Sequence, residues 1–117
     1  MKERTPKQKE VLCLLAMRGV YISAPYIGSN DYFICIVANT RTVKFEKLDV
    51  RVFKSLMNNT DIIKSPVLSH PYKTRWVINA PKRTKINIKL ISSKIKEFYK
   101  NRTATFSIER AIINLAN

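Results

Sequence analysis

Cationic and apolar residues are interleaved along almost the whole chain, and this interleaving most constrains what it can become. The 117 residues hold 22 Lys and Arg against 8 Asp and Glu, a formal net charge of +14. A segregated basic tail would leave the remainder to fold as an ordinary neutral domain. Here apolar residues recur at helix or strand spacing inside the basic stretches themselves. A folded body must therefore carry the charge on its surface. A compact domain this cationic repels itself, which favours a polyanionic partner. Nucleic acid is the first candidate, ahead of an acidic protein surface; an anionic membrane exploits the same field but is not expected as the partner.

Several classes fall away. Hydrophobic residues make up 45% of the chain, too many for a disordered polyelectrolyte. Two glycines in the whole chain exclude a Gly-rich phosphate loop. No apolar run approaches the ~18 residues of a membrane span. The run VLCLLAM after the basic start is short and lacks a small-x-small cleavage site, so it reads as a helix face rather than a signal peptide. Length predicts one domain with one core. Cys13 and Cys35 fall in an apolar helix and an apolar strand and are expected to be buried free thiols, with a cytoplasmic location.

The first helix is signalled most clearly. Thr5-Pro6-Lys7-Gln8 supplies an N-cap, a proline at the first helical position and a capping-box glutamine. Gly19 stands where a C-cap glycine belongs, so the helix is expected over residues 6–18. The period then changes to β-branched and aromatic runs over 20–24, 32–38 and 42–45, separated by turn residues. A second helix starts at Asp49, with Leu48, Val52, Phe53 and Leu56 on one face and Arg51, Lys54, Ser55 and Asn58 on the other. Residues 62–65 and 74–78 form a hairpin whose loop carries His70, Tyr72 and Lys73, with Arg75 and Trp76 just beyond. Trp76 is expected in the core.

The last third is different in charge. Residues 1–80 hold 13 Lys/Arg against 6 Asp/Glu and residues 81–117 hold 9 against 2, so each part carries net +7. Lys82, Arg83, Lys85 and Lys89 open this region. Residues 86–90 alternate like a strand yet border a helical pattern over 92–100, so either state is open there. Residues 106–116 form a final amphipathic helix with Ile108, Ile112 and Leu115 aligned. That stripe must bury against the body or mediate a homodimer.

The fold class expected is α+β: a winged-helix-like domain over 1–80 with a small antiparallel sheet, then a basic, mainly helical extension over 81–117. Leu14-Leu15-Ala16 with Gly19, Val52-Phe53-Lys54-Ser55-Leu56, Ile63-Lys64 and Pro71-Tyr72-Lys73 resemble small winged-helix proteins of bacterial and prophage origin. The pattern is most similar to the YjhX-like family of toxins, inhibitors of topoisomerase I. The likeness spans residues 5–80, and the chain departs from it in its long basic tail, in Arg18-Gly19 where that family has Gly-Gly, and in a loop without glycine. It implies a helix and wing that dock on a polyanion.

Candidate nucleic-acid contacts are accordingly Arg51, Lys54, Ser55 and Asn58 on helix 2, Tyr72, Lys73 and Arg75 at the wing, and Lys82, Arg83, Lys85 and Lys89 in the tail. These side chains suit phosphate and base-edge contacts. No cofactor or metal is expected: the single histidine has no second histidine, cysteine or carboxylate cluster beside it. Two other readings stand: a phage or mobile-element inhibitor that docks its basic face on a host enzyme, and a metal-free ribonuclease using His70, Tyr72, Lys73 and Arg75.

Overall fold

The computed structural model describes residues 3–26, 28–38, 41–65, 74–80 and 83–100. Among these the elements run α1 (Pro6–Leu15), β1 (Val20–Ser23), β2 (Tyr32–Ala38), β3 (Arg41–Leu48), α2 (Val50–Asn58), β4 (Ile62–Lys64), β5 (Arg75–Ile78) and α3 (Ile88–Tyr99). The strands pair antiparallel in the order β3-β2-β1-β5-β4. This is an α+β fold whose three helices bury their apolar stripes against one face of a five-stranded sheet. The β4–β5 hairpin is not a separate flap, because β5 also pairs with β1.

Alternation along the strands builds that face. Val20 and Ile22 of β1 lie opposite Ile36 and Ile34 of β2, and Val43, Phe45 and Leu48 of β3 and Ile62 of β4 join the same core. From above come Val11, Leu14 and Leu15 of α1, Phe53 and Leu56 of α2, and Ile91 and Ile95 of α3. The basic α3, expected as part of an extension, thus shares the core of the strands. Trp76 packs as expected. Its ring meets Phe53 edge-on at 4.8 Å, and Phe53 stacks on Tyr32 at 3.8 Å.

A register shift in β3 does more than bend the strand. Ile34 pairs with Glu46 while its neighbour Cys35 pairs with Lys44, so Phe45 is the extra residue of a bulge. Beyond the bulge the alternation resets, and Glu46 falls on the helix-covered face although Phe45 already does. There its Oε1 accepts a 2.7 Å hydrogen bond from Lys94 Nζ of α3. Its Oε2 makes no hydrogen bond but lies 3.5 Å from Lys7 Nζ of α1. Glu10 closes the cluster, 3.5 Å from Lys94 and 3.8 Å from Lys7. Two cations and two carboxylates therefore tie α1, β3 and α3 together.

Helix ends follow local chemistry. The expected capping box forms: Thr5 N donates to Gln8 Oε1 and Gln8 N to Thr5 Oγ1. The helix stops at Leu15 rather than at Arg18, because the chain returning after β5 takes its last carbonyls. Arg83 Nη1 donates to Leu15 O at 2.8 Å, Thr84 N donates to Ala16 O, and Arg18 N donates to Thr84 O. Met17 and Thr84 form an isolated parallel bridge. Asp49 caps α2 by accepting from Arg51 N. Asn87 caps α3 by accepting from Leu90 N. That cap settles residues 88–90 as the first turn of α3, and the strand-like alternation there reflects a half-exposed turn. Cys35 is buried as expected, but Cys13 is exposed. Cys13 sits about 160–200° around α1 from Val11 and Leu15, on the solvent side.

The end of α2 holds the one positive-φ residue that is not glycine among the described residues, Thr60 at φ 59°. Asp61 N reaches back to Leu56 O and Thr60 N to Met57 O, a Schellman closure whose left-handed position is normally glycine. The closure presents Asp61 to Arg4, whose Nε donates to it at 3.0 Å and whose Nη2 also reaches it.

Thr60→Gly is expected to raise stability by about 0.5–1 kcal/mol, since the relief of a left-handed β-branched residue exceeds the added chain entropy. Urea denaturation checks this through the midpoint at unchanged slope. Lys94 yields a second expectation. Burial pushes its pKa down, but the Glu46 hydrogen bond and the charges of Glu46 and Glu10 outweigh this, and it ends above the ordinary lysine value. A raised pKa gives stabilisation that is complete below the unfolded-state value and is lost as pH climbs through the folded one. Lys94→Met should therefore cost about 1–2 kcal/mol near pH 8. That gap to the native protein should narrow above about pH 10.4.

Candidate nucleic-acid interface

Five of the described carboxylates are engaged in ion pairs or a helix cap. Asp61 holds Arg4, Glu46 and Glu10 hold Lys94 and Lys7, Asp31 lies 3.9 Å from Lys47, and Asp49 caps α2. Among the described residues, Lys9, Arg18, Arg51, Lys54, Lys64, Lys85, Lys89, Lys96 and Lys100 have no carboxylate within salt-bridge distance. The surface left over is predominantly positive, with Glu3 and Glu97 the exposed carboxylates outside these pairs and the α2 cap among the described residues.

α2 gathers the most coherent part of it. Its buried Phe53 and Leu56 face the core, which turns Arg51, Lys54 and Asn58 to solvent and leaves Ser55 half-buried. At 100° per residue these four occupy one arc of about 100°. Lys64, two residues after buried Ile62, rises from the same face of β4 that α2 packs on, and it is exposed. Lys64 belongs with this set, although a three-residue strand carries too short an alternation to signal it in sequence. A polar cleft of about 290 Å³ joins the end of α2 to the start of α1, lined by Ser55, Asn58, Asn59, Glu3, Thr5 and Gln8. The Glu3 carboxylate there disfavours phosphate beside Ser55. Arg51, Lys54 and Lys64 form the anion-attracting part.

The other expected contacts scatter. Arg75 lies on the face of the sheet away from the helices, its guanidinium 5.0 Å above the Tyr21 ring. Arg83 caps α1 through Leu15 O. Its side chain is half-buried there, with Nη1 engaged on that carbonyl. Lys85 and Lys89 are exposed near the start of α3. Helix α3 packs over β3 and α2 over β4, the two edges of the sheet. Four strand spacings, about 19 Å, separate those edges, so the two basic sets are not one patch. Tyr72, Lys73, Lys82 and His70 lie outside the described residues, as do Ile108, Ile112 and Leu115. The ribonuclease set therefore has only Arg75 described, facing Tyr21.

A second concavity differs in kind. An open groove of about 590 Å³ runs between α1 and α3 with Cys13, Leu14, Ala16, Met17 and Leu90 as its apolar bed. Lys85, Lys94 and Glu10 stand at its sides. Among the described residues no group of three His, Cys, Asp or Glu is placed to hold a metal ion, and no helix is long and apolar enough to cross a membrane. No family model matches the chain, and neither curated proteins nor solved structures yield a match.

Proposed function

We propose that the protein is a small DNA-binding regulator that docks on duplex nucleic acid through the exposed face of α2. The observation that carries this reading is the arc of Arg51, Lys54 and Asn58, joined by Lys64, on a body where Asp61, Glu46, Glu10 and Asp49 are engaged in ion pairs or a helix cap. Arginine and lysine there supply phosphate contacts, and asparagine offers a base-edge donor and acceptor. The order helix, strand, helix, hairpin, with β5 lying between β1 and β4, is compatible with a winged helix in which α2 reads the groove and the loop 66–73 acts as wing. In this arrangement the β2–β3 hairpin stands where a helix-turn-helix has its first helix. The bacterial or phage origin suggested by the YjhX-like pattern accords with a compact regulator of this size. The basic residues of α3 and the tail would add backbone contacts on a longer site.

The α1–α3 groove favours one further reading, a phage or mobile-element inhibitor docked on a host protein. Its bed is apolar, Leu90 is 40% exposed within it, and Lys85 stands at its side. Such a surface suits an apolar side chain flanked by acidic residues better than it suits DNA.

Arg51→Glu with Lys54→Glu decides between them. Fluorescence anisotropy on a duplex should show affinity falling at least tenfold. The slope of log K against log salt should shrink by about 2, the loss of two phosphate contacts. Unchanged affinity in that variant would remove α2 as the recognition element. If no nucleic acid binds near physiological salt while a host protein co-purifies stoichiometrically, and Leu90→Glu releases it, the docking reading replaces the first.

A further inference from the structure

α3 turns a second basic side to solvent. Lys89, Ser93, Lys96 and Lys100 are all exposed. Their spacing places them within an arc of about 60°, on the side of the helix away from buried Ile91 and Ile95. The stripe is about 16 Å long. None of its three lysines has a carboxylate within salt-bridge distance among the described residues. Lys89 stands in the first turn, where the helix dipole disfavours a cation and no acidic residue offsets it. Lys96 and Lys100 are like charges four residues apart, which repel along the helix. A polyanion laid along the stripe relieves both penalties. Lysine and serine suit phosphate oxygens, and the stripe has no counterpart of Arg51 or Asn58 to reach a base edge. It therefore fits a nucleic-acid backbone of any sequence.

This stripe and the α2 arc do not form one surface. α2 and α3 pack over β4 and β3, the outer strands of the sheet. Four strand pairings, each twisted by about 20–25°, turn those strands about 80–100° from one another. The outward sides of the two helices turn with them. α1 stands between, sharing a cleft with α2 and a groove with α3. Carboxylates interrupt the positive surface along that path: Glu3 lines the cleft and Glu10 the groove. Glu97 is exposed about 60–80° round α3 from Lys100 and Lys89, on the side of Leu90 and Lys94, which line the groove. A straight duplex seated on one helix leaves the other basic set facing elsewhere. We propose, resting on duplex binding through α2, that the α3 stripe is a second phosphate-backbone site, so that one molecule holds two segments of duplex DNA. A single long DNA supplies both segments only where it bends between them.

The stoichiometry of the full-length protein with short DNA tests this. Analytical ultracentrifugation with excess duplex of about 12 base pairs, just over one helical turn, near about 50 mM salt, counts duplexes per protein. One copy of the native chain should carry two. One duplex per protein, or two held only by a pair of proteins, overturns the two-segment proposal and leaves α2 binding standing. No bound duplex at all overturns both. Lys96→Glu with Lys100→Glu should reduce the count from two to one. Lys9→Glu with Arg18→Glu, the same change of charge at exposed positions off the stripe, should keep two. A folded stripe variant that still carries two overturns the proposal, as does an equal loss in the control. Should the glutamate pair not fold, Lys96→Gln with Lys100→Gln is read in the same way.

Discussion

One extra residue in β3 organises much of this molecule. Without the bulge at Phe45, strand alternation would turn Glu46 to the second face of the sheet. With it, Glu46 sits under the helices and takes Lys94 of α3 at 2.7 Å and Lys7 of α1 at 3.5 Å. A half-buried carboxylate costs stability unless it is paired, so both helices are drawn to fixed positions over β3. The alignment of α3 then places Ile91 and Ile95 in the core and Phe98 at the edge of the opposite face.

The same pairing shapes the electrostatics of the surface. Each carboxylate used to fix a helix is one fewer to neutralise the exterior. Asp61, Glu46, Glu10 and Asp49 all serve the fold. The cations left exposed on α2 and α3 therefore project an uncancelled field, strongest where no acid intervenes. This is the physical route from a sequence-level surplus of charge to a located surface. It also separates cations by role: Arg4, Arg83 and Lys94 hold structure, while Arg51, Lys54 and Lys64 face solvent.

The elements were legible where the signal was local. Thr5 to Gln8 announced α1, and Asp49 announced α2 with the correct buried and exposed faces, because capping and helical periodicity are set within a few residues. The long-range features were not. The early stop of α1 comes from Arg83 and Thr84, nearly 70 positions away, and no local pattern encodes it. Nor does any local pattern announce the bond from Arg83 to Leu15 O, because a capping arginine and a solvent-facing one are the same residue type. Cys13 read as buried because the run VLCLLAM is apolar throughout, whereas only one side of a helix faces the core. The splitting of Arg75 from the α2 set follows from strand register, which hydrophobic alternation gives for a face but not for which neighbour lies beside it.

The proposed function requires the uncancelled positive surface to be a nucleic-acid surface. Titrating the unmodified full-length protein against a duplex of about 20 base pairs over about 50–300 mM salt tests that most directly. With three to five phosphates engaged, log K should fall linearly with log salt at a slope of about −3 to −5. No binding at the lowest salt, or binding with a slope near zero, would contradict it.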